Sequence, residues 1–437
     1  MSILIVGICL LLLILLITWG KVNPFLAFLV TSMLAGWLLG VPLTGIAHSV
    51  QKGIGDTLGS LVIVIALGAM LGKLVAESGA AQKIADVMMS LFGTRYIQWG
   101  LVCTGFIIGI PLFYSVGFVL MVPLIFSVVY QYRLPAVYIG LPMLSSLSVA
   151  HGFLPPHPSP AALVAQFGAN MGVTLLYGLI IAVPTIILAG PVYAQTLKNI
   201  KSEPLDIFAT KARPADTLPG AANSFLTALL PVVLLALTTV FTFAFQADPA
   251  IKSLMTFIGD PATVMLLSVA VATLTLGLQQ GKSMKQIMGI YEEAAKDVAM
   301  ILLIIAGAGA FKQVLSDSGI SQEIANQLQR VSLNPLILGW LIAAIIRVCL
   351  GSATVAGLTA AGIIAPLMTQ QQVNPNLMVI AIGAGSLMFS HVNDPGFWMF
   401  KEYFNLSLKD TIRSWSMMET LVAVIGLAGV LIINVFI

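Results

Sequence analysis

Ser390-His391-Val392-Asn393-Asp394-Pro395-Gly396-Phe397-Trp398 interrupts a long apolar run, about 376–412, and the interruption decides how the chain is read. Proline removes a backbone donor and clashes with the preceding turn, so no regular helix passes unbroken through Pro395. Non-helical backbone at bilayer depth is tolerated only where it is buried in protein or lines a watery cavity. A second apolar run, about 134–171, is broken in the same manner by Ser148-Val-Ala-His151-Gly-Phe-Leu-Pro155-Pro156-His157-Pro158-Ser159-Pro160.

The two breaks are related. His151 and His391, and Pro155 and Pro395, share an offset of 240 residues. At the same offset Glu77-Ser-Gly-Ala-Ala-Gln-Lys-Ile-Ala85 matches Asp317-Ser-Gly-Ile-Ser-Gln-Glu-Ile-Ala325 with five identities in nine. Weak internal symmetry of this kind marks transporter folds built from duplicated units. The polar stretch Thr196–Asn223, rich in charge and proline, reads as a solvated linker. The expected organisation is a first repeat at 1–195, a cytoplasmic linker at 196–223 and a second repeat at 224–437.

Composition places both repeats in a membrane. Hydrophobic residues make up 59% of the 437 and charged residues 8%, against roughly a quarter charged in soluble domains. Ser2–Trp19, Pro24–Val41, Ser224–Gln246 and Met417–Ile437 each approach the roughly 20 residues that cross a bilayer as helix. Barrel strands would alternate every second residue, and these runs do not. Ser2–Trp19 lacks a basic leader and a small-x-small cleavage pattern, so it reads as a first span rather than a signal.

Each half then reads in one order. Three spans (about 2–19, 24–41 and 59–76; 224–246, 261–279 and 298–315) precede a re-entrant hairpin, 96–130 with its tip at Ile110–Gly117, or 335–370 with its tip at Gly351–Gly357. The broken span follows, and a last span (about 173–195 or 416–437) closes the half. The expected fold class is an all-α polytopic membrane protein of two inverted repeats, each five spans plus a re-entrant hairpin. With both termini periplasmic, 14 basic residues fall on the cytoplasmic side and three (Lys52, Lys252, Arg330) outside, leaving Lys73, Lys312 and Arg347 uncounted. That asymmetry obeys the positive-inside rule. A net charge of +3 suggests no nucleic-acid partner. Cys9, Cys103 and Cys349 show neither metal spacing nor a disulfide framework, and no cofactor motif is present.

The breaks are where chemistry is expected. Freed N–H groups at a half-helix start favour an anion. His151, His157 and His391, three of the four histidines, lie in the breaks, as does Asp394, the one carboxylate expected at depth. Asp394 reads either as the cap of the half-helix after Pro395 or as a proton carrier, since intramembrane carboxylates are functional candidates. His151 and His391 read as substrate contacts or as hydrogen-bonding braces, His157 as structural or cavity-lining, and Ser390 and Asn393 as hydroxyl-binding or bracing. Ser352 and Thr354 at the second hairpin tip offer hydroxyls beside exposed amides, or serve close helix packing. Arg347, one turn earlier, reads as a partner of Asp394, a clamp on a carboxylate, or a side chain snorkelling to the interface.

At these residues the sequence resembles the gluconate permease family, the gluconate:proton symporters that include idonate, fructuronate and D-serine carriers. The resemblance spans the whole chain through Gly68-Ala-Met-Leu-Gly-Lys73, His151-Gly-Phe-Leu-Pro-Pro-His-Pro158, Gly309-Ala-Phe-Lys-Gln-Val-Leu315 with Asp317-Ser-Gly319, Gly351-Ser-Ala-Thr-Val-Ala356 and Ser390-His-Val-Asn-Asp-Pro-Gly-Phe-Trp398. It implies proton-coupled uptake of a sugar-acid anion across the bacterial inner membrane, a homodimer, and an elevator-like shift. It adds Tyr114, Ser115 and Pro156 to the expected substrate-binding residues. One departure stands out: the family's first hairpin tip usually carries an acidic residue where Phe113-Tyr114-Ser115-Val116-Gly117-Phe118 has Ser115. A sodium-coupled carrier, a passive channel and a histidine-based intramembrane metal hydrolase remain as alternatives; no His-Glu-x-x-His motif supports the last.

Overall fold

The computed structural model describes residues 2–93, 95–111, 114–202, 214–244, 248–320, 333–370, 373–392 and 394–437. Among them no strand forms, and the chain is an all-α, multi-pass membrane protein. Most of the charged part of the expected linker lies outside the described residues.

Local chemistry sets where many helices begin. Asn23, Asp248, Asp260, Asn334, Asn374 and Asp394 each stand before a proline, and each side chain accepts a backbone N–H of the first turn. The side chain satisfies an orphan donor, and proline at the first helical position forfeits none.

Helices Ser2–Thr18 and Pro24–Leu38 lead into Leu43–Glu77, a 35-residue helix with a 45° bend between Gly59 and Leu61. Its counterpart in chain order is Met284–Asp317, 34 residues long. The spans expected at 59–76 and 298–315 are therefore only the apolar parts of longer helices. Polar turns extend them, braced by i,i+4 ion pairs at Lys52–Asp56 (2.6 Å) and Glu292–Lys296 (2.8 Å). Two amphipathic helices, Ala80–Phe92 and Pro249–Ile258, are additions to the expected order; neither is an apolar run long enough to signal itself.

The two long helices pack along each other. A Cβ placed on Gly53 would stand 2.4 Å from the Gly309 carbonyl oxygen, so the backbones touch where both residues lack a side chain. Lys73 of the first helix pairs with Asp297 of the second at 3.0 Å.

Beside this scaffold lie the hairpins and broken helices. Ile97–Gly109 and Tyr114–Tyr132 form the first hairpin, Pro335–Leu350 and Ala353–Gln370 the second. The first broken helix is Ala136–Phe153 followed by Pro158–Phe167, and the second is Pro375–Gly385 followed by Pro395–Tyr403. His151 thus sits on the last turn of a helix rather than in the break itself. The two broken helices meet at glycines: a Cβ on Gly383 would lie 2.2 Å from the Gly152 carbonyl oxygen. Met171–Ile187 and Met417–Phe436 close the two halves.

Six helical segments among the described residues are long and apolar enough to cross a membrane singly, and the bent Leu43–Glu77 makes seven. The sequence led us to expect ten crossings. Ser2–Thr18, Pro24–Leu38 and Pro375–Gly385 fall short because a terminus, a cap or a break cuts each below span length.

Gly53→Ala is expected to wedge the two long helices apart and cost about 1–3 kcal/mol, read as a lower unfolding temperature in detergent. Gly55→Ala, whose added methyl meets nothing within 4 Å, is expected to leave that temperature unchanged or slightly raised. Equal effects of the two substitutions would show that the glycine contact is not what holds the pair.

Candidate functional site

Asp394 occupies the start of the half-helix Pro395–Tyr403, where its Oδ1 accepts the Gly396 N–H at 2.9 Å. Its other oxygen, Oδ2, accepts from Arg347 Nη2 and from the Ser390 hydroxyl. Two of the readings open for Asp394 and Arg347 therefore hold together: the aspartate caps the half-helix and pairs with the arginine. Arg347 is buried at 4% side-chain exposure and does not snorkel. Removing one partner of a buried ion pair costs about 3–5 kcal/mol, because a bare charge is left behind. The pair ties an arm of the second hairpin to the second break.

Behind it stands Trp415, whose indole N–H donates to the Ser390 oxygen at 2.8 Å. Trp415 belongs to a π-helical turn, Ile412–Ser416, just before the last helix. Such turns are rare and occur often at functional sites. The indole stacks on Phe400 at 5.3 Å between ring centres and meets Tyr114 at 6.1 Å.

Tyr114 brings in the first half of the chain. Its ring lies 5.8 Å from His151, and His151 lies 5.3 Å from His157. His157 Nε2–H donates to the Gly109 carbonyl at 2.5 Å, which fixes the end of the first hairpin arm to the first break. Tyr114 and His151 both lie within electrostatic reach of Arg347, and Tyr114 also of Asp394. The structure thus brings Tyr114, His151, His157, Arg347, Ser390 and Asp394 into one buried group built from both halves.

One member of the group was missed. Glu419, on the first turn of Met417–Phe436, is 3% exposed and accepts the Ser148 hydroxyl through Oε1 at 2.7 Å. Asp394 is therefore not the lone carboxylate at depth. A scan of the last span for ionisable residues finds Glu419 at once, as the only charge between Met417 and Ile437. Trp415 and Ser148 gave no comparable signal, since neither is unusual in an apolar run.

Several polar atoms of this group are buried without a protein partner: Arg347 Nε and Nη1, Glu419 Oε2, the Tyr114 hydroxyl and His151 Nδ1. Each such atom costs about 1–3 kcal/mol unless something answers it. Together they offer cationic and neutral donors beside a carboxylate acceptor. That combination suits a small anion that also carries hydroxyls.

The remaining expected site residues sit differently. His391 Nε2–H donates to the Val348 carbonyl at 2.9 Å, bracing the break against the hairpin. Ser352 Oγ accepts the Val355 N–H at 3.4 Å, and Thr354 is half-buried on the same turn. Pro156 is buried beside His157 and lines, with Gly68, Ile110 and Met265, a small recess that faces the long scaffold helix rather than Arg347. Asn393 and the side chain of Ser115 lie outside the described residues.

Comparison with known proteins places the chain. The high-affinity gluconate transporter of Escherichia coli is 48% identical over 100% of both chains, and the Gnt-II system L-idonate transporter of the same organism is 43% identical over 97% of each. The gluconate permease of Bacillus licheniformis is 42% identical, again over 100% of both. In fold, the chain resembles the YdaH transporter of Alcanivorax borkumensis, with a TM-score of 0.67 over 94% of this chain and 98% of that one at 15% identity. Neisseria gonorrhoeae MtrF gives 0.62 over 93% and 94% at 14% identity. The GntP family permease profile matches residues 1–436, and with full-length relatives at this identity the chain belongs to that family of permeases.

Proposed function

We propose that this protein takes up gluconate or a closely related sugar-acid anion, driven by the proton gradient across the bacterial inner membrane. The observation that carries the reading is the buried set of unanswered polar atoms at Arg347, Glu419, Tyr114 and His151. A sugar acid supplies a carboxylate for the guanidinium donors and hydroxyls for the rest. The names of the relatives, gluconate and L-idonate transporters, agree with that chemistry.

Arg347 is the anchor for the substrate carboxylate. Asp394 holds one of its nitrogens and keeps the guanidinium aimed into the cluster, while Nε and Nη1 stay available. A planar guanidinium can answer two oxygens together, which an ammonium cannot. Ser390, backed by Trp415, and the half-helix start at Gly396 fix the position of Asp394.

The orientation follows the basic residues: both termini periplasmic, the linker cytoplasmic, and two repeats of opposite direction whose broken helices cross near the midplane. Gly152 against Gly383 is the crossing point. A homodimer in which the hairpins and broken helices shift against the long helices completes the proposal. The family is one of permeases and not of enzymes, so the metal-hydrolase alternative is set aside.

Purified protein in liposomes is expected to accumulate gluconate when the outside is acidic, with undiminished uptake when sodium is replaced by choline. Sodium-dependent uptake, or preference for D-serine over every aldonate in the same assay, would overturn the coupling or the substrate. Arg347→Lys is expected to weaken apparent affinity at least tenfold, roughly the strength of one charge-assisted hydrogen bond. Unchanged affinity would show that Arg347 only holds Asp394.

A further inference from the structure

We propose that Glu419 is the group that takes up and releases the transported proton, with Ser148 setting the pH at which it does so. The proposal rests on the transport reading above and assigns its proton to a residue outside the motifs of the sequence analysis.

The two carboxylates of the cluster, the half-buried Asp394 and the buried Glu419, are held in opposite ways. Asp394 receives Arg347, the Ser390 hydroxyl and the Gly396 N–H, and its side chain keeps 15% exposure. Both of its oxygens are therefore answered by donors. Glu419 receives one neutral hydroxyl on Oε1, while Oε2 is buried and unanswered. Among the described residues, no cation and no second donor meets this carboxylate at hydrogen-bond distance. Asp394 is thus the fully partnered carboxylate, and Glu419 the one with an oxygen still open to a proton.

Ionisable groups around Glu419 allow this division. Arg347 from the second hairpin and Asp394 from the second break lie within its electrostatic reach, as does Tyr114 from the first hairpin. Of the elements packed on its helix, Ala136–Phe153 carries His151 and Tyr138, Pro335–Leu350 carries Cys349 besides Arg347, Met171–Ile187 carries Tyr177, Ile412–Ser416 carries Arg413, and Pro375–Gly385 and Leu188–Val192 carry none. The Arg347 charge is largely met by Asp394, so Glu419 does not have a cation to itself.

Coupling then follows from charge. An anion arriving at Arg347 adds a negative charge beside Glu419, and a like charge disfavours the ionised carboxylate. Glu419 takes a proton from the outer water as the anion binds, and returns it to the inner water as the anion leaves. By linkage, the protonated glutamic acid strengthens anion binding by the same factor.

Gluconate binding to the purified protein, measured by calorimetry between about pH 5 and pH 9, tests this; wild-type affinity should fall about tenfold per pH unit above the midpoint. Glu419→Gln is expected to bind gluconate with less than about twofold variation across that range, and in liposomes to exchange substrate without accumulating it under a pH gradient. Ser148→Ala, which removes the one donor to the charged form, is expected to move the midpoint up by about one pH unit. Asp394→Asn is expected to keep the pH dependence of whatever binding it retains. Wild-type pH dependence in Glu419→Gln overturns the assignment, as does its loss in Asp394→Asn instead. Should Glu419→Gln not bind at all, an unmoved midpoint in Ser148→Ala overturns it. Failure of the wild-type protein to bind any sugar acid would instead sink the transport reading itself.

Discussion

A charge in the interior of a membrane protein must be answered, and Arg347 is the charge around which the polar centre of this chain is arranged. Desolvating an ion costs several kcal/mol even after the protein relaxes, so a buried guanidinium persists only where partners are held in place. Asp394 is held by its own role as a helix cap, by Ser390, and through Ser390 by Trp415. Each link recruits a different segment: a hairpin arm, a break, a half-helix and a π-turn. The ion pair therefore ties together four elements of the second half of the chain.

The broken helices meet a related constraint. Every interruption frees backbone N–H and C=O groups that lipid cannot satisfy. Capping side chains answer part of this in the breaks, and histidine side chains of the breaks donate to carbonyls near the ends of the neighbouring hairpin arms, as in His157 to Gly109 and His391 to Val348. The histidines thereby become braces, one per break, each tying a break to the hairpin of its own half. Of His151, His157 and His391, His151 is the one with a buried ring nitrogen left unanswered. Close approach at Gly152 and Gly383 supplies the remaining rigidity. A site assembled on such a frame can leave a few polar atoms open for a ligand without losing its shape.

Much of this was legible from residue order. The apolar runs, the two proline-containing breaks and the two hairpins appear in the structure close to where composition puts them, because hydropathy and proline act locally. The long helices Leu43–Glu77 and Met284–Asp317 were truncated in the sequence reading, since their polar turns are stabilised by side-chain pairs that hydropathy does not register. The pairing of Arg347 with Asp394 was one of three readings open for the arginine, and burial at 4% exposure selects it over snorkelling. Glu419, the one charge between Met417 and Ile437, sits in an unbroken apolar helix with no proline or glycine break beside it, and no motif of the breaks marks it.

By itself the sequence determined the class: a multi-pass helical membrane protein with two interrupted segments. An apolar run too long to be solvated and a proline too rigid to be helical leave few other outcomes. Which polar groups face one another was decided only by the tertiary structure. Tyr114, Ser148, Arg347, Asp394 and Glu419 lie on five separate elements, and their meeting depends on helix crossings set by small residues and caps rather than on any spacing along the chain. Local chemistry can mark a residue as buried, but only packing supplies or withholds the partner that fixes its charge.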